Sequence, residues 1–594
     1  MNILIILKVI LLFIIKIELQ RCNIKISDDE KNQEIAYFSM EIALESSLPI
    51  YSGGLGILAG DTLRSAADMG LPMIAVTLIY DAGYFYQQIG PNGEQIEKEM
   101  EWNFTDDFEK IDQQVVLELQ DKLIKVEAWK YEIIGRNGHK IPIILLDTDL
   151  DENEPWQRKL THMLYDANPF QRIAQEMILG ICGYRMLEKL GYYNIKTYHL
   201  NEGHAAFLIF ELLIKYKNLE EVKKHCVFTT HTPVRAGLEE FNYNLVYDVF
   251  RNRLPDQIHD FGGKNALNMT ILALNASGYI NAVSKKHSEV SIKMFPNYKI
   301  NSITNGVHIG YWLSPYMRDF LNEELTRDWH HNLDLFERAL NLDSYELWRA
   351  HNKAKNRLIK YENSHSWILF DKHLLTIGFC RRMAEYKRPL LIFNDLERLA
   401  KIIKKKAQLI FAGKAHPADL QSKSYIRKIY EYSNYLWNSY DIGLVFLENY
   451  EISLAKLLVS GVDLWLNNPR RYLEASGTSG MKASINGVLN FSTLDGWWIE
   501  GYYLSDKKAG WAIGPEPSDP KAQTTDDSLD AEDLYYKLEK EIIPLFYQKR
   551  SEWQERMKYA IKLGAYFNTN RMMEEYALKS YELIKQPIWK SIIN

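Results

Sequence analysis

The sequence predicts an α/β protein with two doubly wound, Rossmann-like domains that face a cleft. Apolar strand-like runs alternate with helical segments in both halves of the chain, which is the pattern of parallel sheets with crossover helices. Several of these runs end in glycine, histidine or arginine, and ligands bind at the carboxyl ends of strands in such sheets. At 594 residues the chain is also too long for a single hydrophobic core.

Composition excludes several classes of function. A hydrophobic content of 46% and a charged content of 25% are typical of a globular protein. The net charge of −6 gives no basic footprint, so we expect no nucleic-acid partner. The four cysteines are scattered without a C-x-x-C pair, which excludes a disulfide framework and fits a reducing, cytoplasmic location.

Residues 1–34 are predicted to form an apolar N-terminal extension and a linker. Residues 3–15 are apolar except for Lys8. This run is short for a membrane span, and it lacks the basic region and cleavage site of a signal peptide. We interpret it as a packed extension or the product of an upstream start codon, with a short anchor or signal-like segment as the alternative.

The globular body is predicted to begin with a strand at residues 35–41 that ends in Glu41. The glycine-rich string at residues 51–56, which includes Gly54, then opens a helix. A glycine loop before a helix exposes N–H groups that can bind an anion. The alternative is an ordinary Gly-Gly turn.

Two histidines follow predicted strands in this half of the chain. His204 comes after the run at residues 196–200, and His231 after the run at 227–230. Each is a candidate ligand-binding residue or a structural histidine. A metal site formed with Glu202 is not predicted, because the helical ligand spacing of such sites is missing.

The second half contains a cationic strand end. The apolar run at residues 374–380 is followed by Arg381, Arg382, Lys387 and Arg388. Arginines and lysines at the carboxyl end of a strand predict a phosphate site. The alternative is the basic start of a helix, although helix N-termini disfavour positive charge.

A loop of small residues at 475–480 lies between two apolar runs and precedes Lys482. Thr478 is a good helix N-cap residue, so Lys482 is expected in the first helical turn. Dipole interactions disfavour a cation there, which favours a neutral, reactive amine. A strand–loop–helix with a surface lysine is the alternative.

This loop closely resembles the pyridoxal-phosphate segment of the α-glucan (glycogen, starch and maltodextrin) phosphorylases. The string Glu474-Ala-Ser-Gly-Thr-Ser-Gly-Met-Lys482 and the later Thr493-Leu-Asp-Gly496 match the family pattern at each of its defined positions. The resemblance extends over most of the globular chain and is strongest to the short bacterial and archaeal type. It implies the GT-B glycosyltransferase architecture.

The resemblance also implies domain limits and residue roles. The expected units are an N-terminal glucan-binding domain at 35–305, a cofactor domain at 306–560 and a helical tail at 561–594 that crosses back. Pyridoxal 5'-phosphate would be covalently bound to Lys482, with Gly477, Thr478, Arg381 and Gly54 around it. The implied catalytic residues are Lys482, Arg382, Lys387, His231 and Glu474. The implied sugar-binding residues are Asn305, Tyr386, Glu474, His231, His204 and Ser476.

The implied reaction is retaining phosphorolysis of α-1,4-glucan ends by orthophosphate, which releases α-D-glucose 1-phosphate from glycogen or maltodextrin. A homodimer is the family habit. Ala384 and Glu451 depart from the pattern, which has histidine and arginine there in many members. A catalytically weakened glucan-binding homologue therefore stays open, as does a nucleotide-sugar-dependent glucan synthase of the same fold.

Overall fold

The structure is a computed structural model that describes residues 31–100, 102–523 and 526–586. The predicted apolar extension therefore lies outside the described residues as far as residue 30. Within the described part of the chain, every helix is too short or too polar to cross a membrane.

The first half of the chain builds a nine-stranded sheet, here called the first sheet. Its strand order is β13-β12-β9-β8-β1-β2-β7-β6-β5, parallel throughout except for β6 and β5, which are antiparallel to their neighbours at one edge. β3 pairs with β4, and β10 with β11, as small separate ribbons. The strands are β1 (Ile35–Phe38), β2 (Met73–Leu78), β3 (Tyr86–Ile89), β4 (Gln95–Lys98), β5 (Glu109–Leu119), β6 (Lys122–Ile134), β7 (Lys140–Asp147), β8 (Thr197–Asn201), β9 (Cys226–Thr229), β10 (Glu240–Asn242), β11 (Ala266–Asn268), β12 (Tyr279–Ala282) and β13 (Asn301–Ser302).

The second half builds a six-stranded, fully parallel sheet, here called the second sheet. Its order is β16-β15-β14-β17-β18-β19. β14 and β15 are buried along their whole length, as expected for strands covered by helices on both faces. The strands are β14 (Leu375–Cys380), β15 (Ala407–Ala412), β16 (Leu444–Leu447), β17 (Leu464–Asn467), β18 (Leu489–Thr493) and β19 (Gly510–Ile513).

In both sheets the first strand lies in the middle, and the order in which strands are added to the sheet reverses beside it. In the first sheet, strands are added outward from β1 through β2 and β7, and then outward from β8 through β9 and β12 on the other side. In the second sheet, the same reversal of order lies between β14 and β17. This is the doubly wound order, in which a crevice opens at the carboxyl ends of the two strands that flank the reversal. The predicted fold class, two doubly wound α/β units, is confirmed.

Helices cover both sheets and continue into the C-terminal part of the chain. The described α-helices are Gly54–Met69, Pro155–Arg158, Pro169–Met177, Gly183–Leu190, Leu208–Tyr216, Leu219–Lys223, Tyr243–Phe250, Ile258–Gly262, Met269–Ala276, Lys285–Met294, Ile309–Trp312, Pro315–Glu324, Ser344–His365, Leu396–Ile403, Leu420–Tyr440, Ile452–Gly461, Ser479–Ile485, Trp497–Leu504, Asp527–Lys537, Ile543–Gln548, Arg550–Lys562 and Thr569–Lys579.

The helix Thr569–Lys579 packs on the first sheet's side of the molecule, against the helix Gly54–Met69. The Ser65 hydroxyl lies 2.6 Å from the Thr569 hydroxyl and 2.7 Å from Asn570 Oδ1. In β8, the ring of His199 hydrogen-bonds to the Tyr581 hydroxyl at 2.6 Å. The domain limits at 305/306 and 560/561 stay predictions.

Candidate active site

A buried cluster of two cations and one carboxylate lies at the reversal point of the second sheet. Arg381 follows β14 directly, and Glu474 lies on the loop after the neighbouring strand β17. The Glu474 carboxylate accepts from Arg381 Nη2 and from Lys387 Nζ, each at 2.6 Å, on the same oxygen. All three side chains are buried. The strand order therefore brings together residues that are far apart in sequence.

The cluster contains buried hydrogen-bond donors that have no acceptor. Burial would raise the pKa of Glu474, but Arg381 and Lys387 outweigh it and hold that pKa at about 2. Nε and Nη1 of Arg381 are buried without a partner. An unpaired buried donor costs about 1–3 kcal/mol unless something accepts from it. The guanidinium is thus suited to bind an anionic group.

Arg382 and Arg388, the other two cations of the predicted phosphate site, form no ion pair with Glu474. No regular α-helix follows β14 directly; the chain forms an open turn and a short 3₁₀ turn, Glu385–Lys387. Arg388 donates to Asp527 at 3.0 Å and lies 2.7 Å from Asp530, so its charge is used to anchor the helix Asp527–Lys537. Arg382 is solvent-exposed. Although part of the side chain reaches solvent, neighbouring protein atoms partly desolvate the guanidinium, which lowers its pKa; Tyr386 and Tyr84 outweigh that effect and leave the pKa raised.

Lys482 is buried, contrary to the surface-lysine alternative. It lies in the helix Ser479–Ile485, whose N-cap is Thr478. Although Thr478 occupies the N-cap position, its hydroxyl accepts from Lys482 Nζ at 3.2 Å and makes no hydrogen bond to a backbone N–H of the helix. The amine lies 4.1 Å from the ring centroid of Trp312. Burial lowers the pKa of Lys482 to about 8, so more of the amine is neutral near pH 7 than in an exposed lysine.

The loop between Glu474 and Lys482 is held by backbone contacts. Gly477 has φ = +73°, a conformation that glycine adopts without strain. The Ser476 carbonyl accepts from the N–H of Trp497 at 3.1 Å. A Cβ added at Gly496 would lie 2.4 Å from that same carbonyl oxygen, so only glycine fits there. The Ser284 hydroxyl, from the first half of the chain, donates to the Ala475 carbonyl at 2.5 Å.

The reversal point of the first sheet carries neutral imidazoles. His231 hydrogen-bonds through Nε2 to Asn201 Oδ1 at 2.7 Å, and its backbone N–H donates to Glu202 at 2.7 Å. Burial lowers the pKa of both His231 and His204 to about 3. Nδ1 of His204 is buried without a hydrogen-bond partner. Both rings are therefore neutral at physiological pH.

The predicted glycine loop already holds an anion, which belongs to the chain itself. The N–H groups of Ser52 and Gly53 donate to Glu41 Oε2 at 2.5 and 3.1 Å. Tyr165 donates to the other carboxylate oxygen at 3.0 Å. Gly54 is the next residue, and a Cβ added there would meet no atom within 4 Å. The backbone at Gly54 therefore borders open space.

Asn305 and Tyr386 differ in how they are held. Asn305 is buried, and its Oδ1 has no hydrogen-bond partner. Its carbonyl oxygen accepts from Arg571 at 3.2 Å. Tyr386 is half-buried, and its ring centroid lies 4.6 Å from Lys387 Nζ. Of these two, Asn305 has the unpaired acceptor that a ligand hydroxyl needs.

One group of residues has the spacing of a metal site but holds an internal cation. Ligand atoms of Glu176, His204 and Glu239 lie within 4.8 Å of one another. Arg172 Nη2 donates to Glu176 at 2.9 Å and to Glu239 at 3.0 Å. The guanidinium supplies the positive charge that a metal ion would supply. The prediction of no metal site agrees with this arrangement and stays a prediction.

Several further residues, given no role in the sequence analysis, also shape the site. Asp495, whose carboxylate accepts the Glu474 N–H at 2.9 Å, has a pKa raised by burial to about 7. Trp312, which lies in a string that resembles the family pattern, has its ring beside Lys482 and its N–H on Asp61; no pattern in a single sequence marks Asp61. Arg471 pairs with Asp530 at 2.7 Å and so has its charge compensated away from the cluster.

Comparison with known proteins agrees with this geometry. The carbohydrate phosphorylase family model matches residues 255–508, which include the cation cluster and Lys482. A maltodextrin phosphorylase of Thermococcus litoralis is 40% identical, over 92% of this chain and 70% of that protein. A glycogen phosphorylase of Aquifex aeolicus is 36% identical, over 94% of this chain and 87% of its own length. A glycogen phosphorylase of Mycobacterium tuberculosis is 34% identical, over 92% and 70%. The chain therefore belongs to the carbohydrate phosphorylase family and is an enzyme of its α-glucan phosphorylase group, as the resemblance predicted.

Proposed function

We propose that this enzyme cleaves the non-reducing ends of α-1,4-glucans, glycogen or maltodextrin, with orthophosphate and releases α-D-glucose 1-phosphate with retention. One observation carries the proposal: buried Arg381 and Lys387 converge on Glu474, while two nitrogens of Arg381 have no partner. Preorganised cations in a site shielded from water bind phosphate strongly and stabilise charge in the transition state.

Pyridoxal 5'-phosphate fits the residues around Lys482. The lysine amine is buried and has a lowered pKa, which favours covalent attachment to a carbonyl group. When bound, the cofactor supplies a second phosphate group that can hold and return a proton. Thr478, Gly477 and Gly54 would lie around it, and Arg381 offers the unpaired donors that its phosphate needs.

The side chains of this chain would bind and orient the reactants. Arg382 and Lys387 would hold orthophosphate, whose oxygen forms the new bond to the anomeric carbon as the glycosidic bond breaks. The departing 4-hydroxyl takes its proton from that phosphate. Two phosphates held close together repel each other, so several fixed cations are needed. No side chain acts as the nucleophile.

The sugar would be held from the first sheet's side. His231 is neutral and His204 has a free ring nitrogen, so both can exchange hydrogen bonds with uncharged hydroxyls. Asn305 offers an unpaired oxygen, and Ser476 and Tyr386 are further candidates. Glu474, with a pKa of about 2, stays ionised and would accept from a hydroxyl; it is no proton donor.

The cofactor proposal is tested by borohydride reduction of the protein loaded with pyridoxal 5'-phosphate, followed by peptide mass spectrometry. We expect a pyridoxyl adduct on Lys482. Lys414 and Lys456 are internal controls, because burial also lowers their pKa values to about 8. Adducts spread over these three lysines would contradict a specific site.

The reaction is tested by adding maltodextrin and orthophosphate and following the product by NMR. We expect α-glucose 1-phosphate from the wild type and none from Lys482→Ala. Release of the β anomer would contradict retention. Maltodextrin binding without phosphate-dependent release would instead identify a weakened glucan-binding homologue, with Glu451 and Ala384 as the first residues to revert to the family pattern.

A further inference from the structure

Asp61 has a conspicuous set of contacts that none of the roles above uses. It lies in the helix Gly54–Met69 and is 1% exposed. Its carboxylate accepts the indole N–H of Trp312 on both oxygens, at 3.0 and 2.8 Å. The N–H of His308 also donates to it, at 3.2 Å. A buried charge on one sheet's helix is thus fixed to the segment that leads into the other sheet.

Trp312 also contacts the helix that carries Lys482. The ammonium group of Lys482 lies over its ring, 4.1 Å from the centroid. Asn486, which ends the same helix, donates to the Trp312 carbonyl at 3.0 Å and accepts the N–H of Ser314 at 2.9 Å. The indole is therefore clamped between Asp61 on one side and the lysine helix on the other.

We propose that Asp61 is a positioning residue for the Lys482 amine, acting through the indole of Trp312 to fix where that amine lies and to favour its protonated form. A carboxylate bound to an indole N–H enriches the ring in electrons, which strengthens its attraction for a cation. The inference rests on the proposed role of Lys482 as the cofactor lysine.

The charges around Lys482 agree with this role. Burial lowers the pKa of Lys482, and Asp61 is the charged group that opposes the effect. Thr478 is the amine's other close polar neighbour. Two further cations share the surroundings: Lys456 Nζ lies 6.0 Å from the Trp312 ring, and Arg64 lies 3.9 Å from Asp61. Asp61 thus moderates a site that would otherwise be strongly unfavourable for an ammonium group.

A purely structural role for Asp61 makes a different prediction. An asparagine at position 61 would still accept the indole N–H through its amide oxygen. It would keep the packing of Trp312 and lose only the negative charge. The pair Asp61→Asn and Trp312→Phe therefore separates charge from shape, since phenylalanine keeps a ring but loses the N–H that reaches Asp61.

The test measures the pH dependence of Lys482 methylation in cofactor-free protein, with formaldehyde and cyanoborohydride as the probe and peptide mass spectrometry as the readout. We expect Asp61→Asn to lower the midpoint by about half to one pH unit, so that methylation below the midpoint is about three- to tenfold faster. The matched control is Asp68→Asn. Asp68 lies in the same helix but pairs with the His308 ring at 3.0 Å, and its variant should keep the wild-type midpoint.

The double variant shows whether the effect passes through the indole. If it does, Asp61→Asn with Trp312→Phe shifts the midpoint by less than the sum of the single shifts. An unchanged midpoint in Asp61→Asn, an equal shift in Asp68→Asn, or full additivity would each overturn the inference. If Asp61→Asn fails to fold by circular dichroism, Trp312→Phe alone must lower the midpoint. These readouts need no bound cofactor, so they stand apart from the failure of the proposed function.

Discussion

The two sheets share the doubly wound reversal of strand order and differ in the chemistry of the residues beside it. Beside β1 and β8 lie the neutral ring of His231 and the carboxylates of Glu41 and Glu202, both bound to backbone N–H groups. Beside β14 and β17 lie Arg381 and Lys387, both bound to Glu474, and Lys482 lies in the helix that follows the Glu474 loop. One crevice is thus equipped for uncharged hydroxyls and the other for anions.

The difference shows that topology decides where a ligand binds, while a few residues after each strand decide what binds. Reversal points create equivalent crevices in any doubly wound sheet. The residues that follow β8 accept and donate hydrogen bonds without net positive charge. The residues that follow β14 and β17 concentrate positive charge, through Arg381 and Lys387. Under the proposed function, the uncharged end of glucose 1-phosphate would lie at the first crevice and its phosphate at the second.

Removing a cation from the second crevice should have the largest effect. Lys387→Met keeps the length of the side chain and removes the charge that Glu474 and the phosphate share. We expect kcat/KM for phosphorolysis to fall about 10²- to 10³-fold, in the range seen when one preorganised electrostatic contact is lost. Steady-state kinetics with varied orthophosphate measures it.

The control for this variant is Arg398→Met. Arg398 pairs with Glu532 on the surface, where ion pairs contribute little, so its kcat/KM should stay within about twofold of the wild type. An equal loss in both variants would show that charge in general, and not this cluster, supports the activity.

Changing a neutral hydrogen-bonding group in the first crevice should cost less. His231→Gln keeps an amide within reach of Asn201 but displaces the ring nitrogens. We expect kcat/KM to fall about 10- to 100-fold, equivalent to about 1.4–3 kcal/mol. The KM for maltodextrin should change more than the KM for orthophosphate. A larger change in the KM for orthophosphate than in the KM for maltodextrin would contradict the division between the crevices.

Acid should weaken the first sheet through its buried imidazoles. The pKa of His199, a residue of β8 that is 2% exposed, is lowered by burial to about 3, against about 6.5 in an unfolded chain. The unfolded state then binds more protons between these values, so stability is lost as pH falls below 6.5. From pH 7 to 5 the wild type should lose about 2 kcal/mol more than His199→Gln.

Thermal unfolding of both proteins at the two pH values measures this difference. The comparison is made between changes with pH within each protein, so a lower stability of His199→Gln at pH 7 does not affect it. Parallel losses in the two proteins would mean that His199 gains a proton in the folded state near neutrality.

Metal removal should have the smallest effect. Arg172 already supplies the positive charge between Glu176 and Glu239. Dialysis against EDTA should therefore change the rate of glucose 1-phosphate release less than about twofold, since the Arg172 guanidinium already lies between the two carboxylates. A large loss that zinc or manganese restores would show that Arg172 is displaced by an ion.

Much of the fold followed from local patterns, because buried parallel strands are continuous apolar runs. The predicted runs at residues 374–380 and 227–230 lie within one residue of β14 and β9. The antiparallel pair β5 and β6 was not predicted. β5 begins Glu109-Lys-Ile-Asp112, a stretch that is mostly exposed, so its charged residues conceal the alternation that marks a strand.

The candidate site was predictable only where a residue sits in a distinctive string. Lys482 and Glu474 lie in such a string, and the structure places both in buried positions. Arg388 was grouped with the phosphate cations because it follows the same strand. Its real partner, Asp530, lies far along the chain, and contacts of that range depend on tertiary packing. Asp61 escaped notice for the same reason.

The contact between the helix Thr569–Lys579 and the first sheet has a consequence for how the protein is made. Met572, Met573 and Tyr576 belong to the same core as β1 and β8. The ribosome delivers the strands of this core early, but these last side chains arrive only after the whole second sheet has been synthesised. Nascent chains generally fold domain by domain from the N-terminus. Until the last helix is made, the earlier unit lacks part of the apolar packing that completes its core.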